Sequence, residues 1–492
     1  MNQDSPYSAP APGSTSLESK WWLSLPRKWW ILITVGTGTF MAALDGSIVN
    51  TVLPVIRQSF GADLSTIEWV VIAYLLTLSI LLLSFGRLGD IVGHKRIYNS
   101  GFIVFTAGSV LCGLSPTEWL LVASRIFQAL GAAMLSSTSP AILTGSFPAR
   151  QRGQVLGMQG TMTYLGLTVG PSLGGFLADH LGWRSIFYVN LPIGVVATAL
   201  AFLVIPRSTS GRRREPFDLA GASALMIGLG ALMLALSKGQ DMTWTSPVIM
   251  SLFIGAVVFL AVFLWLERTM PHPMLDLSLF RDQLFSAATL SSFINYVCVY
   301  SIIFLMPFYL VQGRGFPAGF AGLLLTAQPI VMAVVAPISG YLSDRVGSRL
   351  PSTIGMALLA AGLFSLRDLN AQTSARDIIL RLVLIGLGVG IFVTPNNSAI
   401  LGSAPRQRQG IASGVVATAR NLGMVFGVAA AGAIFSVQVA QRTTAHIPPQ
   451  LAFFGAIQDT FLVITAIAVA GILLSAVRGE TGNSKQGLGN ED

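Results

Sequence analysis

Apolar residues run in long stretches along this chain, and polar residues gather in short segments between them. A helix that crosses a membrane needs about 20 mostly apolar residues. By that measure the sequence predicts fourteen spans, near 31–56, 67–86, 97–114, 118–146, 153–178, 186–205, 219–238, 246–266, 284–312, 318–342, 353–367, 377–401, 410–436 and 457–477. The eleventh is the shortest. The pattern predicts an all-α integral membrane protein.

The segments between spans repeat. Residues 86–96 read GRLGDIVGHKR and residues 340–349 read GYLSDRVGSR, an offset of 254. The fifth span matches the thirteenth at an offset of 257: Gly153, Gly157, Thr161, Leu165, Gly166 and Gly170 correspond to Gly410, Gly414, Thr418, Leu422, Gly423 and Gly427. Arg125 precedes Arg381 by 256 residues. Spans 1–6 and 9–14 therefore read as two related six-helix bundles, with spans 7 and 8 an inserted pair. The expected organisation is a cytoplasmic tail (1–30), an N-terminal bundle (31–206), a linker with two inserted transmembrane helices (207–283), a C-terminal bundle (284–477) and a cytoplasmic tail (478–492). Internal repeats of this kind are the sequence mark of transporters whose halves rock about a central site.

Composition agrees and sets the orientation. Charged residues make up 10% of the chain and hydrophobic residues 53%, against roughly 25% charged in soluble proteins. The net charge of +9 could suggest nucleic acid, but its placement argues for a membrane. With the N-terminus in the cytoplasm, twenty of the 30 Lys and Arg fall on the cytoplasmic side, seven outside and three within spans, which is the positive-inside pattern. The Arg212-Arg213-Arg214 cluster fits an anchor at anionic lipid, and Trp21, Trp22, Trp29 and Trp30 fit an interfacial belt. Cys112 and Cys298 lie in apolar runs and read as packing residues. No cleavable signal peptide is visible. No motif has nucleophile, metal or phosphate spacing, and GLGVG at 386–390 sits inside a span, so an enzyme is not expected.

A few polar residues interrupt the spans. Asp45 lies near the middle of the first, where an acid is costly and is a functional candidate by default. Taking a carboxyl out of water favours its neutral form, so Asp45 is a candidate proton carrier; a structural acid paired with a neighbouring helix is the alternative. Arg125 stays charged when buried and needs acceptors, either to tune an acid such as Asp45 or to bind backbone carbonyls. Gln128 is one turn away, on the same face. Asn50 does not share Asp45's face, since five residues turn a helix by about 140°. Asn295, Tyr296 and Tyr300 in the ninth span, and Asn396 and Asn397 in the twelfth, could line a substrate cavity together with Asp45 and Gln128, or pack within the bundle. Arg381 and Arg420 fit packing or helix-end anchoring at least as well as function. Gly86, Arg87, Asp90, Gly93, Lys95 and Arg96, with Asp344 and Arg349 of the second copy, could latch the halves through ion pairs and helix-end contacts; a solvated basic loop is the alternative. Gly166, Gly170 and Gly174 form a small-residue ridge beside Pro171, which can bend the helix, and Gly175 follows. The second copy has Val428 in place of the proline.

These motifs, in order and on the right spans, resemble the major facilitator superfamily, and within it the fourteen-helix drug:proton antiporters of the QacA/EmrB type. The resemblance covers the chain after about residue 30. It is carried by LDGSIVNTVLP (44–54), GRLGDIVGHKR (86–96), RIFQALGAA (125–133), GLTVGPSLGG (166–175), GWRSIFYVNLPIG (182–194) and HPMLDLSLFR (272–281). It implies the major facilitator fold, a proton-coupling role for Asp45 with Arg125, and an exporter, because in that family the glycine–proline string marks the antiporter helix. The tenth span lacks the second acid found in relatives that export dications, so the implied substrates are monovalent cationic, zwitterionic or neutral lipophilic compounds. The expected partners are the substrate, protons and the lipid bilayer, with no nucleic acid and no cofactor beyond the proton gradient. The expected form is a monomer in the inner (plasma) membrane. In a diderm host a periplasmic adaptor and outer-membrane channel are conceivable partners, and a dedicated exporter of one metabolite, antibiotic or amino acid would share the frame.

Overall fold

The computed structural model describes residues 26–148, 151–206, 219–239, 242–270, 277–403 and 409–477. Lys20, Trp21, Trp22, the Arg212-Arg213-Arg214 cluster, most of the N-terminal tail and the C-terminal tail lie outside them. The described residues are helical, with no strand among them. The long helices are α1 (Arg27–Phe60), α2 (Trp69–Val92), α3 (His94–Leu114), α4 (Glu118–Ser146), α5 (Arg152–Leu181), α6 (Asn190–Val204), α7 (Leu219–Lys238), α8 (Pro247–Thr269), α9 (Gln283–Phe308), α10 (Ala318–Val346), α11 (Arg349–Ser365), α12 (Ala375–Ser403), α13 (Gln409–Thr444) and α14 (Pro449–Val477). Among the described residues, twelve segments are long and apolar enough to cross a membrane; α5 and α7 fall outside that set. The chain is a multi-pass membrane protein.

Local chemistry sets several helix ends. Thr117 caps α4 by accepting the Leu120 N–H, and Asp282 caps α9 by accepting the Phe285 N–H at 2.8 Å. Gly93 and Gly347 turn the two copies of the repeated loop with φ of 105° and 81°, a conformation that favours glycine. The sixth predicted span is broken: a single turn, Ser185–Tyr188, precedes α6, which places Asn190 at the start of the longer helix.

In the first bundle, α1 packs on α5, α3 on α4, and α2 on α4; in the second, α9 packs on α13, α10 and α11 on α12, and α11 on α14. The repeat is visible in this packing. A methyl at Gly170 of α5 would lie 2.6 Å from Ser47 Cβ of α1, and one at Gly427 of α13 would lie 2.5 Å from the Val297 carbonyl of α9. Gly166 and Gly174 also abut α1, so the ridge predicted from four-residue spacing is where α5 meets α1. Helices α7 and α8 pair with each other, and α7 touches α2 and α13. Helix α8 carries Ile254, Val257 and Trp265 on exposed positions, an apolar face suited to lipid.

Candidate functional site

Asp45 is 1% exposed, enclosed by α1, α4 and α6. Its Oδ2 accepts Nη1 of Arg125 at 2.6 Å, and its Oδ1 accepts Nε2 of Gln128 at 2.8 Å and Nδ2 of Asn190 at 2.9 Å. Arg125 Nη1 also donates to Gln128 Oε1 at 2.5 Å, and Nε to the Val70 carbonyl at 3.2 Å. The Tyr74 ring covers the guanidinium at 3.9 Å. Gln128 Nε2 donates further to Ser109 Oγ at 2.8 Å. Five helices of the first bundle thus converge on one carboxylate. The two charges cancel, which is the condition for keeping ions in a dry interior. Three donors already face the two oxygens, two of them on Oδ1 and one on Oδ2.

Between the bundles lies a cavity of about 580 Å³, within the size range of small-molecule sites. Tyr296, Tyr300 and Asn397 line it. The other expected lining residues do not. Asp45 and Gln128 are turned into the first bundle by their mutual hydrogen bonds. Asn295 faces Met356 Sδ at 3.4 Å, and Asn396 donates to the Ala288 carbonyl at 2.9 Å. Asn50, set apart from Asp45 by helical phase, does line the cavity. Tyr74 is shared: it lines the cavity and stacks on Arg125, so it is the wall between the cavity and the ion pair. Asn190, a polar residue in an apolar segment, is not among the residues the sequence pattern singles out. The same pattern reads Arg420 as packing or an anchor, whereas Arg420 lines the cavity with Asn421 and Gln328. Arg381, by contrast, donates to the Ser365 carbonyl, a helix-end contact.

The bundles meet near the ends of α1 and α5. Asp179 accepts the Ala318 and Gly319 N–H groups at 3.2 and 2.7 Å, at the N-terminus of α10. Ser172 pairs with Thr326 at 2.7 Å, and Arg57 donates to Gln312 at 3.1 Å. Gly175 packs against the Ala318 backbone and Gly322 against Pro171, so these two glycines let α5 and α10 approach. The cavity lining reaches Leu156, at the start of the second turn of α5, toward the opposite end. At that end Lys95 Nζ donates to the Phe202 and Ile205 carbonyls at 3.0 and 2.5 Å, which caps α6 inside the first bundle. Arg96 and Arg349 are exposed. The side chains of Arg87, Asp90 and Asp344 lie outside the described residues, as do residues 149–150 and 404–408.

Comparison with known proteins accords with this architecture. The family model described as Major Facilitator Superfamily matches residues 35–267 and 217–428. The chain is 34% identical over 451 residues to a Riboflavin transporter RibZ of Clostridioides difficile, covering 90% of this chain and 96% of that protein. It is 36% identical over 417 residues to a Multidrug resistance protein Stp of Mycobacterium tuberculosis, covering 85% and 77%. Among solved structures, a bacterial homolog of the human lysosomal transporter Spinster, inward-facing and unoccupied, superposes with a TM-score of 0.66 at 14% identity over 92% of this chain and 97% of that one; at that identity the likeness concerns the fold. Two helical bundles about a central cavity, matched by the family model over most of the length, make this chain a member of the Major Facilitator Superfamily of membrane transporters.

Proposed function

We propose that this chain is a proton-coupled efflux antiporter for lipophilic small molecules, of the fourteen-helix type, with α5 and α7 crossing the membrane alongside the twelve more apolar spans. Both termini face the cytoplasm. In that orientation the closed end is the outer face and the cavity serves the cytoplasmic side. The observation that carries the reading is the buried Asp45–Arg125 pair, whose guanidinium is covered by Tyr74, a residue that also lines the cavity. A proton reaching Asp45 breaks the pair; a substrate pressing on Tyr74 favours the pair and so expels the proton. Proton and substrate need only favour different states to be exchanged. Each proton brings about 2.3 kcal/mol per 100 mV and about 1.4 kcal/mol per pH unit. Relatives named as a multidrug resistance protein and as a tetracenomycin C resistance and export protein support the direction of transport. A dedicated carrier of one metabolite is the second reading, favoured by the 34% identity to a riboflavin transporter.

Expression in a pump-deficient host, with tolerance measured against dyes, biguanides and antibiotics, separates the two. Protection against several unrelated compounds is expected. Protection against none, or a single compound class, overturns polyspecific efflux.

A further inference from the structure

The cavity's charge is one-sided. Among the described residues, Arg420 is the one charged residue that lines it, and no acid among them lines it. A guanidinium stays protonated and offers five N–H donors in a planar fork. Arg420 uses one of them, donating Nε to Asn421 Oδ1 at 3.5 Å, the outer limit of a hydrogen bond. It has no ion-pair partner among the described residues. The Asn421 side chain is 2% exposed, and its Nδ2 is buried with no hydrogen-bond partner. Unmet donors in a buried place are costly, so this corner of the cavity lacks an acceptor.

Aromatic rings stand beside these donors. Tyr164, Tyr296 and Tyr300 line the same cavity. A methyl at Gly423, less than one turn after Arg420, would lie 2.9 Å from Tyr296 Cβ, and one at Gly427 would lie 3.1 Å from Tyr300 Cβ. The two tyrosines thus leave the α9 backbone against the helix that carries the guanidinium. The repeat shows that the charge is particular to this half: Arg420 and Asn421 correspond to Thr163 and Tyr164 at the offset of 257, and both of those line the cavity without charge.

We infer that the cavity selects planar aromatic compounds carrying an anionic oxygen, which the Arg420 fork and the Asn421 amide hold while the tyrosines stack on the rings. This deepens the proposed efflux function and rests on it for the role of the cavity. It departs from the sequence-based expectation of monovalent cationic, zwitterionic or neutral compounds, and it disfavours the cation most. A cation would have to sit beside Arg420 in a poorly screened space with no carboxylate to offset it, because the acid that could have done so, Asp45, is committed to Arg125.

The test uses three anthracenes of one shape: 9-anthracenecarboxylate, 9-anthracenecarboxamide and 9-(aminomethyl)anthracene, respectively anionic, neutral and cationic. Binding to the full chain in neutral detergent is measured by equilibrium dialysis. Charge-assisted hydrogen bonds of about 1.5–3 kcal/mol correspond to a preference of about 10- to 100-fold for the carboxylate over the amide, with the ammonium binding weakest. Arg420→Gln should erase that order, and Arg420→Lys should keep part of it. Equal affinities in the wild-type chain, or an order unchanged by Arg420→Gln, overturn the inference. The wild-type series suffices if the variants fail to fold. Since no gradient is involved, a preserved order without any proton-driven pumping would sink efflux and not this inference. Pumping with no charge preference would do the reverse.

Discussion

Replacing Asp45 by asparagine is the standard way to mimic a permanently protonated acid, but the geometry predicts a structural cost. The carboxylate faces three donors: Arg125 at 2.6 Å, Gln128 at 2.8 Å and Asn190 at 2.9 Å. Whichever way the substituted amide is turned, its NH₂ opposes at least one N–H. More importantly, Arg125 is 1% exposed and would keep its charge with no counter-ion. Breaking a buried pair in this way costs about 3–5 kcal/mol. Arg125→Gln combined with Asp45→Asn removes both charges and supplies a carbonyl to accept the new NH₂, so the double variant should recover at least about 2 kcal/mol of the loss. The assay is denaturant unfolding of the purified protein in mixed micelles, followed by tryptophan fluorescence, across the four members of the cycle. Losses that simply add, or an Asp45→Asn variant as stable as wild type, would refute the pairing as the force that holds this site.

Other expectations concern closure and energetics. Asp179→Ala removes the acceptor shared by the first two N–H groups of α10, so an impermeant thiol reagent added outside should label a cysteine at Thr326 faster; Cys112 and Cys298 are buried and give a low background. Gly322→Leu would drive a side chain into the Pro171 backbone and should raise the same labelling rate by forcing α5 from α10; an unchanged rate in both variants would remove this contact from the gate. Asn190→Leu leaves Asp45 Oδ1 with Gln128 alone and should lower stability by about 1–2 kcal/mol, read by the same unfolding assay. Exchange of one proton for a monoanion moves two positive charges inward, worth about 4.6 kcal/mol per 100 mV; a valinomycin-set potential, negative on the cytoplasmic side, should therefore accelerate export of 9-anthracenecarboxylate. A rate indifferent to potential would contradict that stoichiometry.

The spans, the repeat and the Asp45–Arg125–Gln128 cluster were legible because membrane helices make charge conspicuous: a carboxylate or guanidinium in an apolar run has few places to go. Asn190 carries no charge, so one amide in a helix of aliphatic residues gave little signal, and its placement depends on the break at Val189 that begins α6. Which face of a helix meets the cavity was not legible. Asn396 and Asn397 are adjacent and chemically identical, yet one hundred degrees of helical turn sends the first to the Ala288 carbonyl and the second to the cavity. Arg420 reads ambiguously for the same reason: its meaning depends on tyrosines from α5 and α9 and on there being no acid among the described residues that line the cavity. The glycines of α5 were recognised as a packing ridge, but Gly175 meets α10 of the other bundle, a long-range contact no spacing rule contains.

Substrate-induced proton release from the purified chain tests the proposed coupling most directly. The comparison sets wild type against the charge-free Asp45→Asn, Arg125→Gln double variant, chosen because it should remain folded. With binding of 9-anthracenecarboxylate confirmed in both, wild type should release protons on addition of the compound and the double variant should release none. Equal release from the two would contradict the assignment of the coupled proton to Asp45.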